Sequence, residues 1–356
     1  MKIVIEDDRS LRMLQVVLDP AADPVRRAAF ADYIRHDITL EEACRRLSRV
    51  APSLFPATVV TARDPAELRA VLPGADVLIS ESLCAGAPEL DVATNLRAIV
   101  RFGVATDGID TDGCRSRGIA VITQRRRTNV AVAEHAMAMT MALAKQLPRI
   151  NGLVTAARIA RDHGPLEPYD TAHTPNANWA RIPGLLLLSD MTLGILGMGE
   201  IGREMARLGN GIGMRVLYHQ RTRRPAAEDV RDRIEYRTLD GLLEESDVVS
   251  VHLPMNDSTR NLLDKTRLKQ MKAGAILINT ARAAIVDKEA LIEALDAGQL
   301  GGAGLDVLHD EPTAETDPLL DRDNVILTPH LAGGSRLNRF RDFEEIFVRL
   351  EAALRR

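Results

Sequence analysis

Aromatic side chains are scarce in this chain: one Trp, four Tyr and six Phe make up 3% of its 356 residues. The core must therefore be mainly aliphatic. Cysteine is scarcer still. Cys44, Cys84 and Cys114 are scattered and odd in number, which speaks against a disulfide framework and against a metal cluster. A reducing, cytoplasmic setting is the expectation. No uninterrupted apolar run is long enough to span a bilayer. The opening Met1–Asp8 reads as a strand followed by acid, not as a signal peptide. Neither sign of charge dominates: 46 Lys and Arg face 50 Asp and Glu, a net charge of −4. Nothing in that balance suggests a nucleic-acid partner or a membrane-seeking basic face. Internal repeats and low-complexity tracts are also missing. What remains, 46% hydrophobic and 27% charged, is ordinary for a globular chain of two domains.

The most informative stretch is Thr192–Gly202, Thr-Leu-Gly-Ile-Leu-Gly-Met-Gly-Glu-Ile-Gly. An apolar run suited to a buried strand leads into Gly197, Gly199 and Gly202 in the order G-x-G-x-x-G. The first glycine allows a tight turn, the second lets backbone approach a pyrophosphate, and the third lets helix and strand pack closely. A helix from about Glu200 to Leu208 then points its free N–H groups at the phosphates. A second strand, Arg215–His219, follows. In that context dinucleotide binding outweighs a plain strand–helix turn. Gly197, Met198, Gly199, Glu200, Ile201 and Gly202 are the first candidate cofactor residues.

Taken in order, the chain begins with a strand at Lys2–Glu6, a long charged and helical region Leu11–Ala51, a strand at Thr58–Thr61 and a short helix at Pro65–Val71. Buried strands are expected at Val77–Ser80, Ala98–Phe102 and Ala120–Ile122. Strands alternating with helices imply a parallel α/β sheet. A long helix, about Val132–Leu147, comes next, and Arg161–Gly184 reads as an irregular loop. Later strands are expected at Asp247–Leu253, Ala275–Thr280, Ala303–Val307 and Val325–Leu327. The last helix, Asn338–Leu354, is expected to return to the first domain. The fold class is thus α/β: two doubly wound parallel-sheet domains, a Rossmann cofactor domain (129–328) inserted into a flavodoxin-like substrate domain (1–128 and 329–356). Two chain crossings, near Thr128 and Pro329, would make a hinge, with the cleft between the domains as the expected site.

Three strand-end turns carry chemistry. One bears Asn279-Thr-Ala-Arg282, the next Asp306-Val-Leu-His-Asp-Glu311-Pro, the last Thr328-Pro-His330-Leu-Ala-Gly333. In a doubly wound sheet such ends border the ligand crevice. A planar guanidinium suits the carboxylate and adjacent carbonyl of a 2-oxo acid. An imidazole can protonate a developing alkoxide near neutral pH, and a carboxylate beside it stabilises the imidazolium. Singly, each has a structural alternative: Arg282 pairing with a surface acid, Glu311 capping its loop, His330 as a satisfied buried histidine. Jointly, at three strand ends, they point to a catalytic set.

With these segments the chain resembles the NAD- or NADP-dependent D-2-hydroxyacid dehydrogenases over most of its length. Arg101–Asp110, Val132-Ala-Glu-His135, Val251-His-Leu253-Pro254, Met271–Arg282 and Gly304-Leu-Asp-Val307 carry the resemblance alongside the glycine stretch and Thr328–Gly333. It implies that Arg282 binds substrate, Glu311 tunes the histidine and His330 is the acid/base. It implies that Asp306 holds the nicotinamide carboxamide. Leu253, Pro254, Thr259, Thr280, Ala281 and Gly333 fall at cofactor-contact positions, Thr280 and Ala281 through their backbone. The N–H groups near Val104 and Ala105 would hold the substrate carboxylate. A homodimer joined through the cofactor domain, with the Val132–Leu147 helix contributing, is implied as well.

The departures are informative. Ala105 stands where the family often has Gly, which narrows the pocket by a methyl. Arg282-Ala283-Ala284 replaces Arg-Gly-Gly. Arg125, Arg126 and Arg127 stand where relatives have a neutral segment; a solvated loop is the expected reading, attraction of a second acidic group the alternative. Ser80–Cys84 lacks Arg and Lys, which weakens a phosphoglycerate-type substrate. The strand after the glycine motif ends in His219-Gln220-Arg221-Thr222-Arg223-Arg224, with no carboxylate to bind a ribose 2′-OH. Gln220, Arg221 and Thr222 thus favour NADP(H) over NAD(H), Arg221 being the expected phosphate ligand. The functional expectation is hydride transfer between NAD(P)H and C2 of a 2-oxo acid, of the glyoxylate or hydroxypyruvate reductase kind. A dinucleotide-sensing corepressor or scaffold is the alternative of another class. Formate oxidation ranks lower, because those relatives place Gln where Glu311 stands.

Overall fold

A computed structural model describes residues 1–165, 170, 172–173, 175 and 177–355. The chain divides into two compact units, Met1–Asn129 with Gly333–Arg356, and Val130–Ala332.

The first unit holds a five-stranded parallel sheet: β1 Lys2–Glu6, β2 Thr58–Ala62, β3 Val77–Ser80, β4 Ala98–Arg101 and β5 Ala120–Thr123, in the order β2-β1-β3-β4-β5. Alternate side chains enter different cores. Ile3, Ile5, Val77 and Ile79 pack with Phe340, Phe343 and Phe347 of the final helix, Leu337–Leu354. Val4, Leu78 and Ile99 pack with Leu68, Leu72 and Leu90 on the other side. Burial on both faces is why these strands read as near-continuous apolar runs. The Leu11–Ala51 region forms three helices, Arg12–Leu18, Pro24–Ile34 and Leu40–Val50. The third begins where the Thr39 hydroxyl accepts the Glu42 N–H at 3.2 Å.

The second unit holds a seven-stranded parallel sheet: β6 Thr192–Leu196, β7 Arg215–His219, β8 Glu235–Tyr236, β9 Val248–Val251, β10 Ala275–Asn279, β11 Leu300–Leu305 and β12 Val325–Leu327. Its order is β12-β11-β10-β9-β6-β7-β8. Leu193, Ile195, Ile276 and Ile278 enter one core, Leu196, Val249, Val251 and Leu277 the other.

Several boundaries differ from the expected ones. β11 begins at Leu300, three residues early, through Gly301 and Gly302. A Cβ on Gly302 would lie 2.7 Å from the Asn324 carbonyl oxygen, so tight packing, not strand propensity, selects glycine there. The long helix runs Arg127–Ala144, starting where the Arg127 N–H donates to Asp342. The expected loop Arg161–Gly184 begins inside a helix, Ala156–His163, which ends at Gly164 with φ of +87°. Residues 166–169, 171, 174 and 176 of that loop lie outside the described residues.

Candidate active site

The glycine turn has the geometry its spacing implies. Gly197 sits at φ +97°, and a Cβ there would lie 2.6 Å from the His252 carbonyl oxygen. A Cβ on Gly202 would lie 2.1 Å from the Gly197 oxygen. In front of Gly199, by contrast, a Cβ would meet no protein atom within 4 Å. Gly199 caps the helix Glu200–Ile212 without a side-chain hydrogen bond. Open space before a helix N-terminus is what a pyrophosphate requires. Met198 is buried, and Ile201 packs against the same core, so both support the turn from behind.

The end of β7 presents side chains of unequal freedom. Arg224 is buried and bonds Glu228 at 2.9 Å and Asp232 at 2.5 Å. Arg223 lies 5.3 Å over the Tyr236 ring. Arg221 and Thr222 are exposed, and Gln220 donates to the Thr222 carbonyl at 2.6 Å. Among the described residues Arg221 has neither ion pair nor ring contact.

Arg282, Glu311 and His330 converge beyond β10, β11 and β12. The turn after β10 is tied by Asn279, whose side chain accepts the Ala281 N–H at 3.0 Å and donates to the Arg282 carbonyl at 2.9 Å. Arg282 is exposed and donates to the Ala281 carbonyl at 2.6 Å. His330 Nδ1 lies 2.8 Å from a Glu311 carboxylate oxygen, and the other oxygen accepts the Leu308 N–H at 2.9 Å. His330 is thus a half-open, carboxylate-paired histidine, not a buried core one. The His330 imidazole holds the Glu311 carboxyl below the usual carboxylate range, and the Leu308 N–H and the charge of Arg282 act in the same direction. Further along the same loop, half-buried Asp317 ties Thr313, Leu319 and Lys288 together. Burial opposes its charge, yet Lys288, the Leu319 N–H and the Thr313 hydroxyl hold its carboxyl down at about 2. Asn279 and Asp317 had no assigned part in the sequence; an Asn ending a buried apolar strand was the available signal for the first.

Asp306 is 1% exposed and engaged by its own chain. It accepts the Thr328 hydroxyl at 2.6 Å, the Leu331 N–H at 2.9 Å and the Ala332 N–H at 2.8 Å. Thr259 is similarly spent: its hydroxyl lies 2.8 Å from the Pro254 carbonyl and accepts the Asn256 N–H at 2.9 Å, fixing the turn that follows Leu253. The Thr280 hydroxyl is buried with no protein partner among the described residues. Gly333 begins the return to the first unit. Val104 and Ala105 belong to that unit, exposed in the turn after β4. So do Arg126 and Arg127, which are not a free solvated run: Arg126 pairs with Glu81 and lies over Phe102, and Arg127 bonds Asp342 and Glu345.

The family model for the NAD-binding domain of D-isomer specific 2-hydroxyacid dehydrogenases matches residues 137–332. The chain belongs to that family. The dehydrogenase is 38% identical over 267 residues to a glyoxylate reductase of Korarchaeum cryptofilum, covering 74% of each chain. It is 32% identical over 274 residues to a hydroxypyruvate reductase of Thermotoga maritima, covering 76% of this chain and 81% of that one. A D-lactate dehydrogenase of Aquifex aeolicus, solved with NAD and lactic acid, superposes with a TM-score of 0.51 at 26% identity, covering 99% and 95%. Family membership makes the protein a dinucleotide-dependent oxidoreductase of 2-hydroxy and 2-oxo acids. No helix among the described residues is long and apolar enough to cross a membrane.

Proposed function

We propose that this dehydrogenase reduces a small 2-oxo acid of the glyoxylate or hydroxypyruvate kind, with NADPH preferred to NADH. The observation that carries the reading is the 2.8 Å pair between His330 and Glu311, half open to solvent, with the Arg282 charge acting on the same carboxylate. A bound nicotinamide dinucleotide supplies the hydride to C2. Arg282 holds the substrate carboxylate through its guanidinium fork. Among the described residues nothing bonds His330 Nε2, which leaves that nitrogen to give its proton to the 2-oxygen as negative charge develops there. Glu311 stabilises the imidazolium before transfer and keeps the ring in one tautomer. In the oxidative direction the same nitrogen takes the proton back. The first unit acts as the substrate domain and the second as the cofactor domain.

The preference for NADPH is supported by the lack of a carboxylate at the end of β7 and by the freedom of Arg221 beside Thr222. Names of similar reductases support the small substrate. The exposed apolar residues Met141, Leu147 and Leu187 support a homodimer formed through the cofactor unit; light scattering at micromolar concentration tests it, and a monomer removes it. Turnover with glyoxylate, hydroxypyruvate and larger 2-oxo acids, each with NADPH and NADH, tests the function. No turnover with any of them returns the dinucleotide-sensing alternative.

A further inference from the structure

We infer that Thr328 and His135 are positioning residues for the proton donor, acting through Asp306 on the backbone turn that carries His330. The inference rests on His330 being the acid/base. His330 lies at φ +52°, a left-handed conformation that a non-glycine residue occupies at a cost. Something must hold it there. Immediately after it, two successive N–H groups, of Leu331 and Ala332, donate to the two oxygens of Asp306. That grip fixes the direction in which the chain leaves His330. Just before it, the His330 N–H donates to the Thr328 carbonyl at 2.9 Å, closing the turn from the other side.

The grip is only as rigid as the Asp306 carboxylate, and that group is held in turn. The Thr328 hydroxyl, 2.6 Å from Asp306 Oδ1, has one proton, and the carboxylate is the acceptor for it. At 3.0 Å from His135 Nε2 the same hydroxyl oxygen must therefore accept, so His135 carries its hydrogen on Nε2 and donates. A directed chain results: His135 Nε2–H to Thr328 Oγ1–H to Asp306 to the two N–H groups behind His330. Its parts come from the helix Arg127–Ala144, the end of β12 and the end of β11, so three elements agree on one backbone conformation. An Asp306 that served only to meet the cofactor would not need both oxygens spent on this turn.

The test uses full-length enzyme with glyoxylate and saturating dinucleotide. Thr328→Val keeps the shape and removes the hydroxyl; Thr328→Ser returns it. His135→Leu removes the donor; His135→Gln places an amide N–H where Nε2 was. A misdirected donor costs turnover, and displacement on the order of an ångström corresponds to about 100-fold. The expected result is a fall of roughly 10- to 100-fold in kcat for Thr328→Val, a smaller fall for His135→Leu, and recovery of most of it in the Ser and Gln variants. KM for glyoxylate, dinucleotide affinity and the thermal midpoint should stay near wild type. Wild-type kcat in Thr328→Val overturns the inference. So does a loss matched by weaker dinucleotide binding, which would make Asp306 a cofactor residue only. His330→Ala is run beside them. If it turns over normally, the acid/base reading itself falls; if it is inactive while Thr328→Val is active, only the positioning role falls.

Discussion

The two units have the same architecture and spend their polar groups differently at the C-terminal edges of their sheets. In the first unit two charged side chains at the edge are turned onto backbone. Glu6, at the end of β1, accepts the N–H groups of Glu81 and Ser82, both at 2.7 Å, and of Leu83 at 3.1 Å. Arg101, ending β4, donates to the carbonyls of Glu81 at 2.6 Å and Asp107 at 3.2 Å. An acid and a base of opposite sign are both turned inward on backbone. In the second unit the edge is left open: Arg282, Glu311 and His330 are exposed, and the helix after Gly199 has no side-chain cap. A parallel sheet supplies the edge in both; function lies where the chain leaves groups for a ligand to satisfy. Substitutions at Glu6 or Arg101 should therefore cost stability, and at Arg282, Glu311 or His330, turnover.

The sharpest test of that contrast is His330→Ala. It should lower kcat by roughly 100- to 10,000-fold, the range of general acid–base catalysis, with the thermal midpoint unchanged. A variant with near-normal turnover ends the assignment. Arg282→Lys keeps the charge and loses the fork. Losing one charge-assisted hydrogen bond, about 1.5–3 kcal/mol, corresponds to roughly 10- to 100-fold in kcat/KM, shared between weaker binding and slower turnover. Steady-state kinetics equal to wild type would make Arg282 structural.

The open edge was the legible one. Glycine spacing, three chemically matched residues at three strand ends and the missing carboxylate after β7 are all local patterns, and the structure puts Arg282, Glu311 and His330 on one sheet edge. The self-satisfied contacts were not legible. Glu6 and Leu83 are 77 residues apart, and nothing in either segment announces the other. Asp306 could be marked as a site residue, but its hold on Leu331 and Ala332 depends on the parallel register of β11 with β12. Arg125–Arg127 read as a solvated loop because the partners of Arg127, Asp342 and Glu345, lie more than 200 residues away. Strand β11 was found late because Gly301 and Gly302 depress strand character while close packing demands them.

Cofactor choice extends the comparison to side chains that the fold leaves uncommitted. Arg224 is paired within the second unit, whereas Arg221 has no ion pair among the described residues. Gln220→Asp adds a carboxylate that repels a 2′-phosphate and can accept from a ribose 2′-OH. The ratio of kcat/KM for NADPH to that for NADH should fall by about tenfold, the worth of one modest charge-assisted bond. If wild type already prefers NADH, or the ratio does not move, the reading of this strand end is wrong.

Glu6→Gln should have the smallest effect, and it tests the other side of the contrast. The carboxylate of Glu6 is penalised by burial, but the Ser82 hydroxyl and the N–H groups of Ser82, Leu83 and Glu81 more than offset that and hold its carboxyl below the usual glutamate range. A carboxyl whose folded value is lowered contributes stability above its unfolded value and loses it as pH falls through the folded one. Gln keeps one accepting oxygen and presents an NH2 group where the second stood, so about 1 kcal/mol should be lost at pH 7. The loss should be read locally, as faster hydrogen exchange at the amides of Glu81, Ser82 and Leu83. The difference from wild type should shrink on acidification below the usual glutamate range, because the wild-type carboxylate is then protonated as well. Turnover at 25 °C should stay close to wild type. A large fall in kcat with unchanged exchange would place Glu6 among the functional groups and erase the distinction between the two edges.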